Sequence, residues 1–319
     1  MPDELNFDGK VAVITGAGGG LGRAHALLFA SRGAKVVVND VGGSLAGEGS
    51  DAGPAQSVVD EITALGGEAT ADTHSIATVE GGRGLIDTAT AAYGRLDILV
   101  NNAGILRNAA FEDMDEQHLE PVLDVHLRGA FFVTRPAWNV MRAQGGGRIV
   151  NTTSGAGLLG APGFSNYGSA KGGVYGLTRV LAVEGVKYNI KVNAIAPFAA
   201  TRMLSDSMGE PTEVSDPAAL AQMQAIVAAL DPSLVSPVVA YLAHEDCPVT
   251  GEIYTVGGGQ VSRFFLARTQ GYVGGHTLSL EDVRDHWDDI RDEKDYTVPA
   301  DTGDESQSVF AAIARGRVT

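Results

Sequence analysis

Val11-Ala12-Val13-Ile14-Thr15, running into Gly16-Ala17-Gly18-Gly19-Gly20-Leu21-Gly22, is the stretch whose reading decides the fold. Consecutive apolar residues, rather than alternating ones, make a strand covered on both faces. The glycines allow a tight turn and close backbone approach, and residues 21–32 then carry helical spacing up to Gly33. Outward from this unit the rhythm repeats. Residues 36–39, 69–73, 98–101, 149–153, 192–195 and 253–256 read as further strands. Between them, 55–65 (closed by Gly66-Gly67), 80–93, 116–144, 166–188 and 237–243 read as crossover helices. The expectation is an α/β, Rossmann-like, doubly wound parallel sheet of about seven strands with helices on both faces.

Two stretches leave this pattern. Residues 198–230 read as a loop-rich lid beyond the sixth strand. From Ser262 the sheet pattern stops and an acidic tail begins, helical over 280–291 and 308–315. Residues 6–261 are therefore expected to form a single catalytic domain, and 262–319 a helical extension.

Composition narrows the function classes. Lys plus Arg number 23 against 39 Asp plus Glu, a net charge of −16, and no basic stripe offers itself to nucleic acid. Cys247 is the only cysteine, which excludes an intrachain disulfide and a thiolate zinc cluster; no metal is expected. No apolar run approaches the roughly 18 residues of a membrane helix. The opening Met1 to Lys10 lacks the basic and apolar regions of a signal peptide, and Gly316-Arg317-Val318-Thr319 does not resemble a peroxisomal address. These features set the expectation of a soluble, cytoplasmic protein.

The glycine turn sits where a helix N-terminus would present amide donors and a partial positive charge to a pyrophosphate. Asp40 ends the second strand at the distance a dinucleotide fingerprint requires, where a carboxylate accepts from ribose hydroxyls and repels a 2′-phosphate. With Val41 and Gly42 following, no basic side chain stands ready for that phosphate except Arg23, which lies past the last glycine and is expected to face solvent, so NAD is expected over NADP. The fourth strand ends in Asn101-Asn102-Ala103-Gly104, small residues that let backbone line a pocket.

Asn166-Tyr167-Gly168-Ser169-Ala170-Lys171 opens a helix with Tyr167 and Lys171 at i and i+4 on one face. A free tyrosine, with a pKa of about 10, is a poor base near neutrality, and a neighbouring ammonium would lower that value. Ser154, at the end of the fifth strand, can hold a substrate oxygen beside the tyrosine.

In this order, Thr15 through Gly22, Asn101 through Gly104, Ser154, Tyr167 and Lys171 resemble the short-chain dehydrogenase/reductase family. The resemblance implies hydride exchange between a nicotinamide and a secondary alcohol or ketone. It makes Ser154 the substrate-orienting group, Tyr167 the proton-transfer group, and Lys171 a ribose ligand that lowers the tyrosine pKa. It assigns Gly16, Gly20, Leu21, Gly22, Asp40, Ser75, Asn102, Ala103, Gly104, Tyr167, Lys171, Pro197 and Thr201 to the cofactor.

Val37 through Gly43, Asn101 through Arg107, Val125 through Gly129, Ala196-Pro197, Arg202-Met203, His244-Glu245 and the tail from Leu280 to Ile290 narrow the likeness. They resemble the (3R)-hydroxyacyl-CoA dehydrogenase units of peroxisomal multifunctional enzymes of type 2, the 17β-hydroxysteroid dehydrogenase type 4-like group. That implies oxidation of (3R)-3-hydroxyacyl-CoA thioesters in β-oxidation, with a 17β-hydroxysteroid as the alternative substrate. It also implies a homodimer, or a homotetramer, packed through the helices at 116–144 and 166–188.

Three departures stand out. His126 replaces the Asn that completes a proton relay in the wider family; either its ring or its backbone carbonyl can serve. Pro197-Phe198 replaces Pro-Gly, and His74 stands where an adenine-contacting acid is common. Arg107 and Arg128 are candidates for a CoA rim. An NADPH-dependent 3-oxoacyl reductase and a non-catalytic dinucleotide sensor are the competing readings. Asp40 opposes the first, and the joint presence of Ser154, Tyr167 and Lys171 opposes the second.

Overall fold

The computed structural model describes residues 4–200, 225, 227–274 and 277–316. The chain divides into two compact units, Met1–Arg263 and Phe264–Thr319. In the first, β1 (Val11–Thr15), α1 (Gly20–Ser31), β2 (Lys35–Asn39), α2 (Gly53–Ala64), β3 (Glu68–Asp72) and α3 (Val79–Tyr93) form the first half. The second half holds β4 (Ile98–Asn101), α4 (Glu116–Leu123), α5 (Gly129–Ala143), β5 (Gly147–Thr152), α6 (Gly155–Leu158), α7 (Ser165–Gly185) and β6 (Ile190–Pro197). The helix Ser236–Ala243 then leads to β7 (Ile253–Gly257) and β8 (Gln260–Phe264).

One sheet runs in the order β3-β2-β1-β4-β5-β6-β7-β8. Pairing is parallel from β3 to β7. The strands alternate between two cores. Ala12 and Ile14 enter the core shared with α1, α2 and the helix Ser236–Ala243, whereas Val13 enters the core under α3 and α5. Val36 and Val38 against Val37, and Ile98 and Val100 against Leu99, repeat the alternation. Burial on both faces explains why these strands read as continuous apolar runs. Between β1 and β4 the strand order reverses, and that crevice is where an open α/β sheet takes its ligand.

Three elements of the first unit differ from expectation. The sheet gains an eighth strand that runs past residue 261 to Phe264. Gly258 and Gly259, at φ of 57° and 80°, form the two-residue turn before it, so β8 returns antiparallel to β7. Its first four side chains are exposed, leaving no apolar pattern to read.

The helix expected over 116–144 is instead α4 and α5 joined by a π-helical turn, Asp124–Arg128, which carries His126. The helix expected over 166–188 ends earlier, at Gly185, and a 3₁₀ turn, Val186–Tyr188, follows before Asn189 at φ 55°.

In the second unit, Arg268 and Thr297 form an antiparallel bridge. The helix expected over 280–291 is two, Leu280–Asp285 and Trp287–Arg291. They are divided at His286, whose ring stacks on Tyr272 at 3.8 Å. Ser279 and Asp282 cap the first reciprocally, and a final helix spans Thr302–Gly316. Thr201 and nearly all of the expected lid at 198–230 lie outside the described residues. Among the described residues no helix is long and apolar enough to cross a membrane.

Candidate active site

The glycine turn has the shape a dinucleotide needs. Gly16 adopts φ +63°, and a Cβ there would sit 2.7 Å from Ala103 Cα; one on Gly18 would sit 2.7 Å from Pro54 Cβ. A Cβ on Gly22 would collide with the Gly16 carbonyl. Side chains at these positions would fill the space and block the backbone approach, so the glycines fit a pyrophosphate at the N-terminus of α1. Asp40 completes this end. Its Oδ2 accepts from Gly18 N at 2.9 Å and its Oδ1 from Gly42 N at 2.7 Å, so the carboxylate is aimed before any ribose arrives. Arg23 is turned away, paired with Glu61 across α1 and α2.

β4 delivers its asparagines to different tasks. Asn102 Nδ2 donates to Thr15 O at 2.9 Å, and the Asn102 and Ala103 amides donate to Thr15 Oγ1 at 3.0 and 3.1 Å. This ties the glycine turn to the end of β4. Asn101 instead points into the core, donating to Thr134 Oγ1 at 2.9 Å and Asn151 Oδ1 at 2.8 Å. Beyond β3, Asp72 is buried and accepts from Asn39 Nδ2, Thr88 Oγ1 and the His74 amide at 2.7, 2.7 and 3.0 Å. His74 Nδ1 lies 2.8 Å from the same carboxylate. Asp72 thereby fixes the exit that carries His74 and Ser75. Its sequence signal, an acid at the end of a strand, is a bland one.

Ser154, Tyr167 and Lys171 come together at the C-terminal edge of β5. Ser154 caps α6, its hydroxyl accepting from Ala156 N at 3.2 Å. Tyr167 and Lys171 project from α7 and are buried, with Lys171 Nζ 5.6 Å from the tyrosine ring centre. Thr153 Oγ1 donates to the Lys171 carbonyl at 2.8 Å, pinning α7 to the strand that carries Ser154.

The electrostatics run against one expectation. Burial raises the Tyr167 pKa above its ordinary value, and Ser154 only partly opposes this. Lys171 Nζ donates to Thr152 O at 2.7 Å, and burial brings its own pKa down to about 7. Desolvation outweighs the i,i+4 proximity.

His126 is buried beneath this group. Its Nε2 faces the backbone of Ile105, 3.0 Å from N and 2.8 Å from O, and its ring meets Tyr167 edge to face at 5.0 Å. A Cβ on Gly104 would collide with the imidazole. Burial first, then Lys171, holds His126 well below the ordinary histidine pKa, so the ring is neutral. Beside it lies a cavity of about 10 Å³ bordered by Asn101, His126, Thr152 and Lys171. Asn101 Oδ1, His126 Nδ1 and Thr152 Oγ1 are buried without partners. That space suits one water.

The two arginines expected at a CoA rim are engaged elsewhere. Arg107 donates to Ala46 O at 2.8 Å and Gln117 O at 3.0 Å, and Arg128 pairs with Glu120 and Asp124. Among the described residues no cluster of His, Cys, Asp and Glu is placed to hold a metal ion.

A doubly wound sheet with this turn and this Ser-Tyr-Lys set defines a class. The chain belongs to the short-chain dehydrogenase/reductase family, whose short chain dehydrogenase model matches residues 10–209. It is an oxidoreductase, and the family binds a nicotinamide dinucleotide.

More particularly, it is 44% identical to the peroxisomal hydratase-dehydrogenase-epimerase of Saccharomyces cerevisiae over 92% of its own length, spanning 31% of that protein. A short-chain type dehydrogenase/reductase of Mycobacterium tuberculosis is 45% identical over 89% of this chain and 94% of its own. The full-length peroxisomal multifunctional enzyme type 2 of Drosophila melanogaster superposes with a TM-score of 0.78 at 36% identity, covering 98% of this chain and 50% of that one. The cytoplasmic expectation is overturned by these comparisons, since relatives from yeast and fly bear peroxisomal names. A missing terminal address was too weak a ground for it.

Proposed function

We propose that the protein is an NAD-dependent (3R)-3-hydroxyacyl-CoA dehydrogenase. The observation that carries this reading is the convergence of Ser154, Tyr167 and Lys171 beside the crevice that Asp40 and the glycine turn frame. Kinship with multifunctional enzymes that include a dehydrogenase supports the substrate class. Gly16, Gly20, Leu21 and Gly22 hold the pyrophosphate, and Asp40 holds the adenosine ribose. Ser75 borders the adenine. Asn102, Ala103, Gly104 and Pro197 line the nicotinamide end, and Tyr167 and Lys171 face its ribose. The bound dinucleotide supplies the hydride acceptor.

The chain's own residues manage the proton. Ser154 holds the substrate hydroxyl beside Tyr167, and the tyrosine oxygen takes its proton. Burial makes phenolate costly, so Tyr167 needs a nearby positive charge to act near neutrality. Lys171, with a pKa near 7, is charged for part of the time at that pH and can pass a proton onward. A water among Asn101, His126, Thr152 and Lys171 would receive it. His126 then acts through its free Nδ1, since Nε2 is held by Ile105.

The test is stereochemical. NADH should form from a (3R)-3-hydroxyacyl-CoA and not from the (3S) isomer, and a 17β-hydroxysteroid should have the lower kcat/KM. Turnover confined to the (3S) isomer would end the reading. Tyr167→Phe should abolish turnover while sparing NAD binding.

We further propose a homodimer. Phe131 on α5 and Val180 and Val183 on α7 leave apolar side chains exposed (51%, 55% and 52%) on the two helices expected to pack subunits together.

A further inference from the structure

Arg107 and Asn166 lie outside the roles assigned so far, yet they connect the two ends of the site. After Asp40 the chain makes a loop over residues 41–52, whose neck is closed by Asp51 N donating to Val41 O at 2.9 Å. Its tip is fastened to the exit of β4. Leu106 N donates to Leu45 O at 3.0 Å, and Arg107 Nε donates to Ala46 O at 2.8 Å. Gly47, at φ +81°, brings the tip against Ile105, where a Cβ would sit 3.0 Å from Ile105 Cδ1.

The opposite side of the same three-residue segment supports the tyrosine. Asn166 is fully buried, and every polar hydrogen and its oxygen are used. Its Nδ2 donates to Arg107 O and to His118 O, each at 2.8 Å, while its Oδ1 accepts from Tyr167 N at 2.7 Å. Ile105, between them, holds the His126 ring that packs edge-on against Tyr167. A path of hydrogen bonds joined by intervening backbone therefore runs from the carboxylate of Asp40, through the loop and Arg107, to the first turn of α7.

We propose that Arg107 and Asn166 are positioning residues that couple the loop beside Asp40 to the seat of Tyr167, so that fastening the adenosine end also sets the tyrosine against Ser154. The arginine side chain grips the loop, and its carbonyl grips the asparagine. This rests on Tyr167 being the acid/base.

The experiment compares Arg107→Ala, Arg107→Lys and Asn166→Ser in the full chain, with Tyr167→Phe as control. NADH binding is followed by fluorescence, and turnover by NAD reduction with a (3R)-3-hydroxyacyl-CoA. Arg107→Ala should weaken NADH binding about tenfold, the worth of one hydrogen bond, and should also lower kcat. Arg107→Lys, keeping one donor for Ala46 O, should recover part of both. Asn166→Ser should lower kcat at least tenfold and displace the pH midpoint of kcat upward, with NADH affinity changed less than threefold. Its retained NADH binding shows that the variant is folded.

The coupling is refuted if Arg107→Ala changes NADH affinity alone, or if Asn166→Ser leaves kcat and its pH midpoint in place. If Tyr167→Phe retains full turnover, the catalytic reading has failed instead. If the wild type does not oxidise the thioester, the substrate reading has failed, and an unchanged NADH affinity in Arg107→Ala then refutes the grip on the loop.

Discussion

Replacing Asp40 with Asn tests the cofactor assignment most directly, because the two side chains match in shape and differ in charge. In the protein both carboxylate oxygens are anchored, at 2.9 Å to Gly18 N and 2.7 Å to Gly42 N. That leaves the remaining lone pairs fixed toward the crevice. A hydrogen bond to a charged acceptor contributes roughly 1.5–3 kcal/mol, so Asp40→Asn should lower kcat/KM for NAD roughly 10- to 150-fold. The opposite cofactor should gain. A 2′-phosphate about 4 Å from a carboxylate is repelled by roughly 1 kcal/mol in water and 4 kcal/mol near a protein surface, for each pair of charges. Removing the carboxylate charge should raise kcat/KM for NADP by at least about fivefold. Initial rates of NADH and NADPH formation at one fixed substrate concentration give both numbers. Melting temperature serves as the control, since Asn preserves one of the two loop acceptors and sacrifices the other. A wild type that uses NADP as readily as NAD refutes the reasoning. So does an NAD-to-NADP ratio that Asp40→Asn moves by less than about threefold.

Other expectations follow from burial. His25 is fully buried with its pKa brought down to about 3, so the folded chain keeps it neutral while the unfolded chain protonates it below about 6.5. Its contribution is full above pH 6.5 and is lost as pH falls toward 3; at pH 5 the loss is about 2 kcal/mol. Urea denaturation at pH 7 and pH 5 should therefore show a smaller pH dependence for His25→Asn than for the wild type. Lys171 gives the opposite limb: neutral in the fold above about 7, it is still protonated when unfolded up to about 10.5. Stability should rise by up to about 1.4 kcal/mol per pH unit through that window, and Lys171→Met should remove the rise; equal slopes would contradict the burial argument. Val183→Glu on α7 should shift the assembly toward monomer in light scattering, and an unchanged mass would exclude that face.

Much of the architecture was open to reading because β1, β2 and β4 are short, nearly continuous apolar runs, and the other parallel strands recur between helical stretches. Order and spacing single out Ser154, Tyr167 and Lys171, which the fold brings together. What spacing does not encode is where a long side chain ends. The i,i+4 spacing puts Lys171 on the face of Tyr167, but its Nζ donates to Thr152 O, and burial is the largest influence on both pKa values. Arg107 looked like a rim residue because exposure cannot be read from a lone arginine. The π turn at Asp124–Arg128 escaped because one added residue barely disturbs an apolar stripe. β8 escaped for the converse reason, having no buried face to leave a pattern. Asp72 and Asn166 were passed over because polar residues at the ends of strands and helices ordinarily signal turns or caps.

The collision between any Cβ at position 104 and the imidazole of His126 has an evolutionary consequence. The two positions form one heritable unit. A lineage that carries the imidazole is confined to glycine at 104, and a side chain can enter there only after the ring has been exchanged for something smaller. Descendants of this sequence should therefore change the two sites in a fixed order, histidine first. A reconstructed ancestor with a smaller residue at 126 should accept alanine at 104 where the present chain does not.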